Sequence, residues 1–217
     1  MVPKIDRVIA KSNNIQEINE FLYVFHSYDE EYTFKIFNKI KLQTLIDLIK
    51  KEKLSEIISG TIATISEISE EIVIDLLDEI ESDIIMKMKA GKEMGDITDY
   101  LDVINDISNE RAIKIFHEIT TEVLIDKIKN EKHLRSINWL FERINFLSEE
   151  EAKNLLESID LEIIVKKIND ANDNNVILEF IETIEIISKN YYSQLAKEID
   201  VKFYKENGRV IRHPTDY

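Results

Sequence analysis

The sequence predicts an all-α protein, an α-solenoid of about five three-helix repeats, and three observations lead to that fold class. First, one phrase occurs twice: residues 45–53 read LIDLIKKEK and residues 124–132 read LIDKIKNEK, 79 positions apart. Second, the 217 residues include only four glycines and two prolines, which favours helices with short connections over sheets with glycine-rich turns. Third, apolar residues recur at helical spacings of three and four, in columns that repeat about every 40 residues.

The composition limits the class of protein further. A chain of 217 residues with 44% hydrophobic residues is long and apolar enough to bury a core, and we treat residues 1–217 as one domain. The net charge of −15 disfavours binding to nucleic acid or to an anionic membrane. Solubility of the surface is the simpler explanation of this charge, and a basic protein or peptide is the partner that it would suit. The chain has no cysteine, so disulfides and thiolate metal ligands are excluded. No apolar run approaches the roughly 18 residues of a membrane helix, and we expect a cytoplasmic protein.

Within each repeat, the second helix is predicted to begin at a small capping residue. Ile68-Ser69-Glu70-Glu71 and Leu147-Ser148-Glu149-Glu150 are two instances of the pattern. The side-chain oxygen of such a residue accepts a hydrogen bond from a free backbone N–H, and acids in the first turn complement the helix dipole. The predicted capping residues are Asp29, Ser69, Ser108, Ser148 and Ser188.

The apolar columns give each repeat a helix of about four turns, one of about three and a shorter one of two to three. In the first helix of the repeats, one column contains Phe25, Ile65, Ile104, Ile144 and Ile184. In the second helix, one column contains Ile36, Leu76, Ile115, Leu155 and Leu195. In the third helix, one column contains Leu45, Ile84, Leu124 and Ile164. We expect the residues of one column to be buried alike, because such helices cover their apolar faces only by stacking.

The predicted repeats span approximately 14–53, 54–93, 94–132, 133–172 and 173–208, followed by a tail at 209–217. Residues 5–8 (IDRV) resemble residues 46–49 (IDLI), so we expect the chain to begin inside the last helix of a preceding repeat. Such an open N-terminal end is a surface through which the chain could form a homo-oligomer.

The period, the three-helix repeat and the Ser-Glu-Glu caps resemble those of armadillo and HEAT-type α-solenoids. The stretch LSEEEAKNLLESIDLEIIVKKI is similar to the degenerate arrays of about 40-residue repeats found in archaeal proteins. Some of those arrays follow a STAND-type NTPase module and are thought to sense or bind partners. The resemblance implies an extended concave surface for protein binding. Because no Walker sequence is present, it implies no ATPase activity.

No motif predicts an enzyme, a cofactor or a metal site. AGKEMG at residues 90–95 has a Gly-Lys pair but does not match a phosphate-binding loop. The four histidines are not closely paired and form no HExxH motif, and no GxSxG nucleophile motif occurs. Acidic pairs such as Glu70-Glu71 stand at predicted helix starts, where the dipole accounts for them.

Trp139, the only tryptophan, departs from its column, which otherwise holds Glu20, Gly60, Asp99 and Glu179. Arg135 and Arg143 lie one turn to either side of it, on the same helix face. Arginine and tryptophan are enriched in binding hot spots, so these three residues are the predicted partner-binding stripe. The same stripe also fits a cation–π stack that covers a seam between repeats, and both interpretations stay open here.

Lysines end each predicted third helix: Lys50, Lys51 and Lys53; Lys87, Lys89 and Lys92; Lys127, Lys129 and Lys132; Lys166 and Lys167. Because cations are favoured at helix C-termini, we attribute this lysine ladder mainly to the helix dipole. The alternative is a basic ridge for an acidic or phosphorylated partner.

The sequence thus favours a non-catalytic scaffold that binds a partner protein or peptide. One alternative is a truncated sensor segment of a larger STAND-type NTPase. An enzyme of the HEAT-like DNA-glycosylase kind is a third class, and it is disfavoured because it requires a basic groove.

Overall fold

A computed structural model describes residues 14–91 and 93–207, which are mainly α-helical and contain no β-strand. The helices are α1 (Ile15–His26), α2 (Glu30–Phe37), α3 (Leu42–Lys51), α4 (Ser55–Ile68), α5 (Glu70–Ala90), α6 (Gly95–Ile107), α7 (Asn109–Glu118), α8 (Thr121–Asn130), α9 (Leu134–Leu147), α10 (Glu149–Ser158), α11 (Leu161–Asp170), α12 (Asn174–Ile187), α13 (Lys189–Glu198) and α14 (Val201–Asn207). The prediction of an all-α fold is confirmed. The start predicted from residues 5–8 and the tail at 209–217 lie outside the described residues.

The described helices group into two compact units. In the first, residues 14–91 and 95–118, helix α4 packs against α1, α5 and α6, while α6 also packs against α7. In the second, residues 93–94 and 119–207, helix α12 packs against α9, α10, α13 and α14. Within each unit, contacts join helices that are close in sequence.

All five predicted capping residues begin a helix and accept a hydrogen bond from the backbone three residues on. Asp29 Oδ1 accepts from Tyr32 N at 2.9 Å, and Ser188 Oγ accepts from Tyr191 N at 3.2 Å. Ser69, Ser108 and Ser148 make the same bond at 3.3–3.4 Å. The prediction from the small polar residue is confirmed because each of these side chains satisfies a donor that the helix cannot.

The predicted columns coincide with the buried core. Ile104, Ile144 and Ile184 are fully buried in α6, α9 and α12, and Ile65 is fully buried in α4. The other two columns given above are buried throughout. Phe25 is the exception in its column, since it is only half-buried and stacks on Phe21 at 4.2 Å between ring centroids.

The second and third helices predicted for residues 54–93 are one continuous helix, α5, of 21 residues. The prediction of a break between those two helices was wrong. The equivalent breaks of two later repeats occur at Thr120 and Asp160, residue types that compete with helical hydrogen bonding, whereas that of the first repeat occurs at Lys41, a good helix former. In α5 the aligned residue is Glu81, a good helix former, and its carboxylate holds Arg111 and Lys114 of α7. The helix continues through Ser82 and Asp83, although both residue types also compete with helical hydrogen bonding.

Candidate interaction surface

Helices α9 and α12 of the second unit run parallel and in register. Arg135 Nη2, in the first turn of α9, lies 4.0 Å from an oxygen of Asp173, the N-cap residue of α12. Midway along both helices, the rings of Phe141 and Phe180 are 6.2 Å apart between centroids. Residues about 40 positions apart therefore lie side by side on the two helices, at the usual helix spacing of about 8–10 Å.

The predicted stripe of Arg135, Trp139 and Arg143 is exposed along α9. Trp139 is 54% exposed. It and Arg135 line a groove of about 570 Å³ whose other walls include His133, Asp173 and Val176. Arg143 does not line that groove. The structure thus brings two of the three predicted residues to one groove, with about half of Trp139 left exposed.

Two further residues, which the sequence analysis did not single out, extend the stripe. Phe146 is 72% exposed and lies seven residues after Trp139, which places it on the same face of α9. Ile186 is 75% exposed and occupies the equivalent position on α12. Within the described part of the second unit, Trp139, Phe146 and Ile186 are the large apolar side chains that are exposed. We call these three residues the α9–α12 face.

The test that singled out Trp139 would also have found the other two. The column of Phe146 and Ile186 holds Ser27, Glu67 and Asp106 in the earlier repeats. The two large apolar residues of this column are exposed, so burial does not explain why they replace polar ones. Exposed apolar residues that lie together often mark an interaction site.

Glutamates surround the C-terminal half of this face. Glu142 lies one turn before Phe146, and Glu182 lies one turn before Ile186; both side chains are exposed. Glu149 and Glu150 follow Phe146 and are also exposed. The nearby cations are Arg143 and Lys189, so the acidic side chains outnumber the basic ones.

Asn138 precedes Trp139 in the sequence and is buried. It helps to orient one of these glutamates. Its Nδ2 donates to Glu142 Oε1 at 2.8 Å, whereas its Oδ1 is buried without a hydrogen-bond partner.

Part of the lysine ladder has a structural role. Lys167 Nζ donates to the backbone carbonyls of Lys129, at 2.8 Å, and of Glu131, both at the end of α8. Lys87 donates in the same way to the carbonyl of Glu52 at the end of α3. Burial lowers the pKa of Lys167 from its ordinary value. These two lysines satisfy carbonyls that a helix end leaves free, which supports the dipole interpretation over a ligand-binding ridge.

Other buried polar groups also serve packing. Tyr191 Oη donates to the carbonyl of Ile159 at 3.0 Å, and burial raises the pKa of Tyr191. In the first unit, Ser55 Oγ donates to Asp99 Oδ2 at 3.3 Å, and burial raises the pKa of Asp99. Asp99 occupies the column of Trp139, so in α6 that position bridges two helices.

Among residues 14–91 and 93–207, no cluster of three metal-ligating side chains occurs. No helix in that part of the chain is long and apolar enough to cross a membrane. The chain matches no protein-family model, no curated protein and no solved structure.

Proposed function

We propose that this chain is a helical-repeat protein that binds a partner protein or peptide without catalysis, and that the α9–α12 face of its second unit is the binding surface. The repeat proposal is supported by the five equivalent caps and by columns that share burial across α4, α6, α9 and α12. Stacked repeats of this kind form an α-solenoid of the armadillo or HEAT type, whose surface serves protein binding.

The observation that carries the binding proposal is that Trp139, Phe146 and Ile186 are all exposed on two helices that pack against each other. A few side chains contribute most of the binding energy at protein interfaces, and tryptophan and phenylalanine are among the residue types enriched there. If this surface served only to keep the protein soluble, apolar residues in columns that are polar in the other repeats would bring no advantage. The partner is expected to be basic, because the chain carries a net charge of −15.

A comparison of three forms of the protein tests this proposal. The tagged wild type, a Phe146→Ser/Ile186→Ser variant and a Tyr28→Ser/Met86→Ser variant are used to recover proteins from the native lysate, with quantification by mass spectrometry. Tyr28 and Met86, which are 86% and 60% exposed, are apolar surface residues of the first unit and serve as the matched control. We expect at least one protein to be recovered equally by the wild type and the control, and about tenfold less by the α9–α12 variant.

All four substitutions are on the surface, so circular dichroism and unfolding curves should remain close to those of the wild type. Equal recovery of every protein by all three forms would show that the α9–α12 face does not bind a partner in that lysate.

A further inference from the structure

We propose that the occupant of the α9–α12 face is an amphipathic helix with lysine or arginine beside its apolar side. This inference rests on the proposed function and names the partner chemistry that the surface fits. The spacing of the three apolar residues, the charge around them and their exposed apolar area support this partner.

The spacing corresponds to the repeat of a helix. Trp139 and Phe146 are seven residues apart on α9, which separates them by about 10.5 Å along the helix axis. Apolar residues at positions i and i+7 of a bound helix have the same separation, and a residue at i+3 or i+4 lies between them. Ile186 occupies the position on α12 that corresponds to Phe146 on α9, so the C-terminal half of the face has an exposed apolar residue on each of two packed helices. A helix that lies over α9 and α12 on this face can contact all three residues with one apolar side.

The charge around the face selects a basic ligand. Glu142 and Glu182 each precede an exposed apolar residue by one turn, and Glu149 and Glu150 stand beyond Phe146. Lysine or arginine residues flanking the apolar side of a bound helix would lie against these carboxylates, while Arg143 remains between Trp139 and Phe146.

A second copy of this chain fits the face less well. The three side chains expose on the order of 400 Å² of apolar surface, estimated from 54%, 72% and 75% exposure of large residues. A two-fold dimer would bury roughly 800 Å² of such surface, below the roughly 1,200–2,000 Å² of stable interfaces. The remaining area would come from the acidic rim of two molecules that each carry a net charge of −15. Like charges would then oppose the association.

A display selection tests the proposal without knowledge of the natural partner. A library of random peptides of about 16 residues, each able to span about 24 Å as a helix, is selected on the wild-type protein. Peptides that also bind a Trp139→Ala/Phe146→Ser/Ile186→Ser variant are removed. We expect the remaining peptides to have apolar residues at helical spacing and a net positive charge, and to gain helical circular dichroism on binding.

Affinity measurements on the selected peptides then test the charge. The Glu142→Gln/Glu182→Gln variant should bind them about three- to tenfold more weakly than the wild type. Glutamine at position 142 can still accept the bond from Asn138, so the substitution removes charge and leaves that contact.

The outcomes separate the two proposals. Selected peptides that are acidic, or that bind as extended strands, would overturn the amphipathic-helix proposal and leave the binding face itself supported. Failure to enrich any peptide over the triple variant would overturn both. Concentration-dependent dimers that appear in light scattering of the wild type and disappear in the triple variant would identify a second copy as the occupant and also overturn the proposal.

Discussion

Replacing Phe141 with alanine is expected to lower the free energy of unfolding of the second unit by about 3–5 kcal/mol, the largest effect that we expect from one substitution. Phe141 is fully buried in α9 and packs against the ring of Phe180, which is also fully buried. Removing the ring leaves a cavity between two parallel helices that cannot close without shifting one of them. Urea unfolding followed by circular dichroism, with linear extrapolation to water, measures the loss.

Phe146→Ala is the matched control, because it makes the same chemical change five residues later in the same helix. Phe146 is 72% exposed, so its truncation is expected to change the free energy of unfolding by less than about 0.5 kcal/mol. A loss of several kcal/mol for Phe146→Ala would mean that this side chain is part of the core, and its proposed role in binding would lose its basis.

Replacing Ser82 with proline is expected to destabilise the first unit by about 3 kcal/mol or more. Ser82 lies in the interior of α5, where proline removes a helical hydrogen bond and its ring clashes with the preceding turn. The side chain is exposed, so the effect comes from the backbone. The same urea unfolding experiment measures it.

The control for this substitution is Thr121→Pro, at the aligned position 39 residues later. Thr121 is the first residue of α8, where proline is well tolerated, and Thr120 before it has the extended backbone that proline requires. We expect a change below about 1 kcal/mol. Similar losses for Ser82→Pro and Thr121→Pro would contradict a continuous α5.

Local chemistry explains why so much of the fold could be predicted from the sequence. Some features have a single physical requirement, and the residue type shows whether it is met. Examples are a cap such as Ser148 and an apolar column such as Ile104, Ile144 and Ile184. The continuous helix α5 was missed because the forty-residue pattern continues through it, whereas the backbone follows the helix propensity around Glu81. A repeated pattern predicts which residues are buried more reliably than it predicts where a helix ends.

The candidate surface was predicted in part. Trp139 departs from a polar column, which predicts it, and Phe146 and Ile186 depart from a polar column in the same way. How much of each side chain is exposed depends on neighbouring helices, and residue type does not give it. The register of α9 against α12, which places Ile186 beside Phe146, is likewise a property of packing.

Thiol labelling of single-cysteine variants tests most directly the central claim that residues about 40 positions apart occupy equivalent places in the fold. The chain has no cysteine, so each introduced thiol reports one position. Cysteines at Ile104, Ile144 and Ile184 should react at least about a thousandfold more slowly than a free thiol, since a buried group reacts only when the structure opens. Cysteines two residues later, at Asp106, Phe146 and Ile186, should react nearly as fast as a free thiol. Fast labelling at one position of the first column, or strong protection at one position of the second, would contradict the claim.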